Sequence, residues 1–494
     1  MQLQFPKIMM DHLKRVAWEI KNEEQTQEVK LSDAMPDIGR ILGTWGQVIL
    51  RGKEWRGTNM TVTGGVMMWV LYAPEDGSEP RSVESWIPFQ MRWDFPQTQR
   101  DGMMIVDCAL KSVDARSISP RKLLLRSIVS AAGEALEPVS TEIFVPGELP
   151  EDVQVHTGSY PVRLLREAGE KTFTLDEEFQ LPANCTQAKK LFRCAVVPMI
   201  TDQKIMADKA VFRGTACLHC LVGCEDGRIQ SCDFEMPFSQ YAELQREYDP
   251  YASLDMIPAV TNLEPELLEN GILRLKAGLV GQYRVYDRPV IQVVEDAYSV
   301  HRPLTMQLQE LNLPAVLETQ RSLLKAEKSL EPDSGDVMDI AFTSAHPSYH
   351  RENGRMVLEV PGSFYLLNRT TEGNLQGEML RWEGTWETEM RDNAELFALS
   401  RIAGKALVGV DVACDLALET VTVANTGIPM VTMLELGEPE QPDPDRPSLI
   451  LRRAGDDTLW KIAKECGTTV QAIREANALT EEPTRDQMLL IPVP

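Results

Sequence analysis

Gly64–Gly77 reads GGVMMWVLYAPEDG, and Gly214–Gly227 reads GTACLHCLVGCEDG. The two stretches share a glycine, an apolar run and a closing Glu-Asp-Gly, 150 residues apart. The same offset pairs Arg40-Ile41-Leu42 with Lys190-Leu191-Phe192, and Leu71 with Leu221. Ile87-Pro88-Phe89 answers Met236-Pro237-Phe238, one residue closer. Several landmarks at one spacing imply tandem copies of a single domain. GRMVLEVPGSFYLLNRTTEGN, around Gly362, repeats the order with fewer identities, 148 residues after Gly214.

Each copy consists of short apolar runs rich in Val, Thr, Trp, Tyr and Phe. The Glu-Asp-Gly between two runs is a hairpin signal, because glycine supplies the positive φ of a tight turn. MTVTGGVMMWVLY (60–72) is long enough for a strand bent at its glycines. The expected fold class is therefore mainly β: tandem antiparallel sandwich or barrel-like repeats. Connecting helices are expected at SIVSAAGEALE (127–137) and LPAVLETQRSLLKAEKSL (313–330), the latter with Leu317, Leu323, Leu324 and Ala326 on one stripe. The boundaries follow as 1–150, 151–332 with its trailing helix, and 333–436. LGEPEQPDPDRPS (436–448) is rich in proline and acid, so residues 437–448 read as an extended, semi-rigid linker. Residues 449–494 form a separate tail.

The 494 residues exceed what one core organises, which also argues for several domains. Fifty basic against 74 acidic residues leave a net charge of −24. Such a chain repels phosphate backbones and anionic lipid, so nucleic acid and membrane surfaces are poor partners. A basic protein partner suits it better. The first twenty residues interrupt every apolar run with charge and read as no signal peptide. No run of 18 apolar residues suggests a transmembrane segment. Nine cysteines, scattered and odd in number, read as reduced cytosolic thiols.

The tail reads strand, helix, helix, strand. Leu449-Ile450-Leu451 opens it, and Asp457 or Thr458 caps a first helix. Leu459, Ile462, Ala463 and Cys466 form that helix's buried face, and Gly467 ends it. Thr468 with Gln471 fits a capping box for the second helix, which presents Val470, Ile473 and Ala476 and stops at Asn477. Over this length the tail, AGDDTLWKIAKECGTTVQAIREANAL…QMLLIP, resembles a LysM module. It departs twice: Asp456-Asp457 carries an extra aspartate, and Ala478 stands where a proline often follows the asparagine. In that family N-acetylated glycans lie between the two loops, which implies a partner- or glycan-binding set of Gly455, Asp456, Asp457, Thr458, Leu459, Trp460, Asn477, Ala478 and Leu479. Trp460 lies off the buried face and is either an interface anchor or a lid on the small core.

The body has a resemblance as well. MPDIGRILGTWGQVIL, GGVMMWVLYAPEDG, WIPF and ISPRKLLLRSIV look like the SPOCS domain of spore coat assembly proteins, as does VVEDAYSVHRPL (293–304). SPOCS copies followed by one LysM module imply a cytoplasmic mother-cell protein at the forespore surface. The implied partner is the coat-basement morphogenetic ATPase, contacted through the LysM module. The alternatives are a cell-wall protein binding peptidoglycan or chitin-type glycan, and a phage tail hub protein.

Catalytic signatures are absent from the sequence. Cys217, Cys220, Cys224 and Cys232 surround His219, but alternation along a strand sends Cys217 and Cys220 to opposite faces, so buried thiols are the better reading than zinc. His346 and His350 flank Pro347 and read as solvated loop imidazoles. No zinc-protease helix, serine elbow, Walker loop or dinucleotide fingerprint occurs. Trp69, Trp86, Trp93, Trp382 and Trp386 read as sheet packing rather than a ligand shelf. The expectation is a non-enzyme without cofactor or metal.

Overall fold

The computed structural model describes residues 1–493 apart from 99–100, 184, 186–187, 226, 332–334, 391 and 441–445. Asp226 of the second turn, the 332/333 boundary and the middle of the expected linker therefore lie outside the described residues.

The fold is mainly β. After β1 (Gln2–Gln4), a first unit runs through β2 (Lys7–Lys30), β3 (Ile38–Arg56), β4 (Asn59–Pro74), β5 (Arg81–Asp94), β6 (Met103–Ser119) and β7 (Lys122–Phe144). Strand β8 (Val153–Pro161) leads to a second unit of β9 (Leu164–Gln180), β10 (Ala188–Met206), β11 (Lys209–Cys224), β12 (Ile229–Glu243), β13 (Ser253–Leu268) and β14 (Ile272–Asp287). Strands β15 (Val290–Ser299) and β16 (Leu304–Leu311) precede a third unit. It holds β17 (Pro314–Ser329), β18 (Asp336–Ser344), β19 (Ser348–Glu352), β20 (Arg355–Arg369), β21 (Leu375–Glu389), β22 (Ala394–Ile402), β23 (Leu407–Val408) and β24 (Asp411–Asn425). β25 (Ile428–Leu436) closes the body.

All three units pair their strands alike. The first strand lies beside the sixth and the sixth beside the fifth, giving β2-β7-β6, β9-β14-β13 and β17-β24-β22. The inner strands form a second sheet, β3-β4-β5, β10-β11-β12 and, with its first strand split in two, β18/β19-β20-β21. The three landmark glycines explain why the pattern survives as sequence fades. A Cβ on Gly64 would sit 2.4 Å from the Ile49 carbonyl and 2.7 Å from the Phe89 ring. At Gly214 it would sit 2.1 Å from the Met199 carbonyl and 2.4 Å from Phe238, and at Gly362 2.5 Å from Phe342. In each unit an aromatic ring covers the glycine, so a side chain there is excluded. The following turns place Gly77, Gly227 and Gly373 at φ of 74°, 78° and 86°, the left-handed region that glycine enters at least cost.

The two expected connecting helices are strands. Residues 127–137 lie inside β7, the central strand of its sheet, and from Val129 to Glu137 every residue is buried. Small residues there let the unit's own inner sheet approach one face, where Met60 and Trp93 lie against Gly133, and units 2 and 3 the other, where Leu165, Ile257 and Phe397 pack on Ala132 and Leu136. Their composition mimics a helix, but pairing to β2 and β6 decides the conformation. Residues 314–329 form β17, paired along their length with β24. Ala326 is buried while Leu317 and Leu323 are 40% and 66% exposed, so the supposed apolar stripe is split between faces. Helix propensity is a weak prior against a continuous ladder of sheet bonds.

The strands between units gather into a fourth body, here called the hub. β8 pairs with β15, and β1 and β16 flank β25. They share one core of Val153, Ile291, Val293, Leu311, Met430 and Leu434.

The units meet over a buried polar chain. Arg284 of unit 2 binds Glu134 of unit 1 at 2.9 Å and Asp255 at 2.5 Å. Arg15 reaches Glu134 at 2.5 Å, and Arg321 of unit 3 reaches Asp255 at 2.9 Å. Burial alone would push both carboxyls up, but Arg15 and Arg284 hold Glu134 below the usual range, and Arg284, Arg401 and Arg321 do the same for Asp255. The sixth-strand amide of Gln282 bonds both backbone groups of Val106 in unit 1. Paired charges this deep fix how the units sit together, because leaving any one of them alone is costly.

Candidate functional site

The tail folds as β26 (Leu449–Arg453), α1 (Leu459–Cys466), α2 (Val470–Asn477) and β27 (Met488–Pro492), with the two strands antiparallel. Ala454, Leu459, Ile462, Ala463, Ile473, Leu489 and Ile491 are its buried core. Thr458 caps α1, its hydroxyl accepting from Lys461 N at 3.3 Å. Gly467, at φ 60°, ends the helix, and Thr468 N donates to Ala463 O, a Schellman closure. The second helix is capped by Thr469, which accepts from Ala472 N at 3.0 Å, and not by Thr468. Helix α2 begins at Val470, which leaves Thr469 at the cap position, while Thr468 is buried and its carbonyl accepts from Tyr298 OH.

The nine candidate residues take different parts. Gly455, Asp456 and Thr458 line one loop and Ala478 the other; Asp456, Thr458 and Ala478 are exposed. Asp457 is tied to Arg452 at 2.5 Å and Lys461 at 2.6 Å, and Lys461 first of all holds its carboxyl below the usual range. Leu459 is wholly buried and Leu479 packs on the same core, so neither offers a contact surface. Asn477 is structural: its amide donates to Ile473 O and Leu490 O and accepts from Leu490 N, stitching α2 to the outer edge of β27.

Trp460 serves neither as a lid nor as an outward anchor. Its indole N–H donates to Asp296 on the hub strand β15 at 2.8 Å. Its ring lies 4.9 Å from Tyr298 and 5.3 Å from His156 on β8. Lys464, one turn further along α1, contacts the same carboxylate at 2.6 and 2.8 Å, and Tyr298 OH donates to Thr468 O at 2.7 Å. Asp296 loses solvation here, but Lys464 and Trp460 more than offset that and keep it below the ordinary range. Burial pushes the Tyr298 hydroxyl up to about 12. One side of α1 is thus fastened to the hub, while the loop rims face solvent. Asp296, Tyr298 and His156 were not among the sequence candidates. Asp296 and Tyr298 lie within VVEDAYSVHRPL, the stretch quoted above for its resemblance. Ahead of the module, Gly437 N and Glu440 N donate to Pro303 O and His301 O.

Elsewhere, the titratable and sulfur side chains named from the sequence engage one another or the cores. Cys220 lies opposite Cys194 and Cys232 in the core of unit 2, with Cys217 on the other face. His219 bridges Asp233 at 2.6 Å and Asp339 of unit 3 at 2.5 Å. His346, expected in solvent, is buried; its Nε2 meets Asp107 O at 3.0 Å and burial pulls its pKa down. The expectation failed because the residue packs between units 1 and 3, a contact no local pattern encodes. Trp69 and Trp93 are buried and Trp86, Trp382 and Trp386 pack half-buried against the cores. A cavity of about 570 Å³ lies where the units converge. Of its lining acids, Asp107, Asp255 and Glu419 are each engaged by an arginine, and Asp202 is exposed. Among the described residues no helix is long and apolar enough to cross a membrane.

No curated protein and no solved structure matches the chain. The family model of the LysM domain matches residues 453–492, covering the tail module and none of the body.

Proposed function

We propose that the chain is a non-enzymatic adaptor of spore-envelope assembly, a rigid β body that presents one LysM module to a protein partner. The observation that carries this reading is the docking of α1 on the hub. Asp296 and Tyr298, which hold Trp460, Lys464 and Thr468, come from the stretch that resembles spore coat assembly proteins. A body with interlocked units and a fixed recognition head suits a scaffold, where orientation of the head matters more than reach. The net charge of −24 favours a basic protein surface. The resemblance names the coat-basement ATPase as the partner and the mother-cell cytosol as the place.

The test is co-purification from sporulating cells with the full chain and an Asp456→Lys/Glu481→Lys variant, both positions exposed on the loops. Recovery of the ATPase with the native chain and its loss with the variant support the reading. Recovery with neither, or equally with both, removes it.

A second reading, a glycan-binding protein of the cell wall, is favoured by the LysM match itself. It expects saturable binding of N-acetylglucosamine oligomers by the unaltered full chain.

A further inference from the structure

The two loops of the LysM module, 454–458 and 478–487, do not leave an empty groove between them. Leu459 N, the first amide of α1, donates across the gap to Glu482 Oε2 at 2.9 Å. Gly455 N donates to Arg485 O at 2.9 Å. Asp456 and Arg485 close the outer end as an ion pair at 3.4 Å. These are the groups an acetamido carbonyl would need: backbone donors beside a helix N-terminus.

Both departures from the family pattern act on this gap. The extra aspartate, Asp456, is the residue that pairs with Arg485. Ala478 adopts φ 53°, a conformation proline cannot enter because its ring fixes φ near −65°. A proline at that position would send the loop after α2 along another path. With alanine the loop turns back, and Glu482 and Arg485 come to lie against residues 455–459.

We propose that this module's groove is self-occupied, with Glu482 as a specificity gate that excludes neutral N-acetylated glycans. The proposal deepens the adaptor reading and rests on it. A neutral sugar must displace a carboxylate from a helix N-terminus, where negative charge is favoured, and can offer only a weaker amide oxygen in exchange. A protein partner that binds the exposed rim has no need to open the gap.

The test is calorimetric titration of the full chain with the N-acetylglucosamine hexamer, alongside thermal melts to verify folding. The native chain shows no saturable binding up to the order of millimolar. Glu482→Ala, and Asp456→Ala/Glu482→Ala more so, gains at least about tenfold in affinity. Glu482→Gln offers Leu459 N only an amide oxygen like the sugar's own and gains an amount between the native chain and Glu482→Ala. Micromolar binding by the native chain overturns the proposal, as does a folded Glu482→Ala chain that gains nothing. If Glu482→Ala does not fold, the native chain still decides through the Gly455 and Leu459 amide resonances. Saturable shifts there on adding hexamer refute a closed groove, and unmoved resonances support it. Failure of the gate leaves the co-purification result untouched, so the two readings fail separately.

Discussion

Trp460→Ala should release the LysM module from the body without unfolding it. The substitution removes a hydrogen bond to the Asp296 carboxylate, worth about 1.5–3 kcal/mol for a charged partner. It also removes the ring contacts with Tyr298 and His156, another ~0.5–1.5 kcal/mol. The expected loss of about 2–4.5 kcal/mol is a shift of roughly 30- to 1,600-fold toward the undocked form. What remains is the Tyr298–Thr468 bond, about 1 kcal/mol, the half-exposed Lys464–Asp296 pair, about 0.5 kcal/mol after solvent screening, and the packing of Tyr298 and Val300 on the module core. These contacts must then alone oppose the module's recovered rigid-body freedom. The assay is ¹⁵N relaxation of module amides in the deuterated full chain. A docked module tumbles with the 55.5 kDa protein, and a released one relaxes as a small domain. Tyr298→Phe with Asp296→Asn approaches the same state from the hub side and alters no residue of the module. Module relaxation unchanged in both variants would falsify the docking described here.

Arg284→Met leaves Glu134 and Asp255 buried without their shared cation and should lower the unfolding free energy by about 3–5 kcal/mol near neutrality. Both carboxyls are held below their unfolded values of 4.5 and 3.8, so their contribution is present above those values and lost as pH falls through the folded ones. Denaturant titrations at pH 7 and in acid should therefore show the gap between native and variant narrowing. His219 behaves oppositely. Burial pulls its pKa down, but Asp339 and Asp233 prevail and raise it above 6.5, so its contribution is full below that pH and fades as pH rises through the folded value. Thermal melts from pH 6 to pH 9 should show this loss, and His219→Gln should flatten it. Ala478→Gly relieves a non-glycine residue at φ 53° and should raise module stability by up to about 1 kcal/mol. Ala478→Pro cannot reproduce that φ and should disorder the loop, as module amide exchange will report.

The β class was legible because its signals are local: a glycine under an aromatic ring, and a turn glycine at positive φ. Those constraints act wherever the chain lies, which is why Gly64, Gly214 and Gly362 mark three units whose other residues differ. The false helix at 127–137 arose where burial was not local. Its residues are small because the unit's own inner sheet presses on one face of β7 and units 2 and 3 on the other, partners that a sequence window does not contain. His346 and the charges Glu134, Asp255 and Arg284 were opaque for the same reason, since their partners lie in other units. In the module, the helices and most caps could be read directly from spacing. The role of Trp460 could not, because its acceptor, Asp296, precedes it by 164 residues. The doubled aspartate and Ala478 were visible as departures, but only the geometry connects them to Arg485 and Glu482.

The most direct test of the adaptor account is the position of a fluorescent full-chain fusion in a sporulating cell. The account expects fluorescence on the outline of the forespore from the mother-cell side. It expects diffuse mother-cell fluorescence from the Asp456→Lys/Glu481→Lys fusion at equal abundance. A native fusion that stays diffuse, or a variant that still marks the forespore, contradicts it.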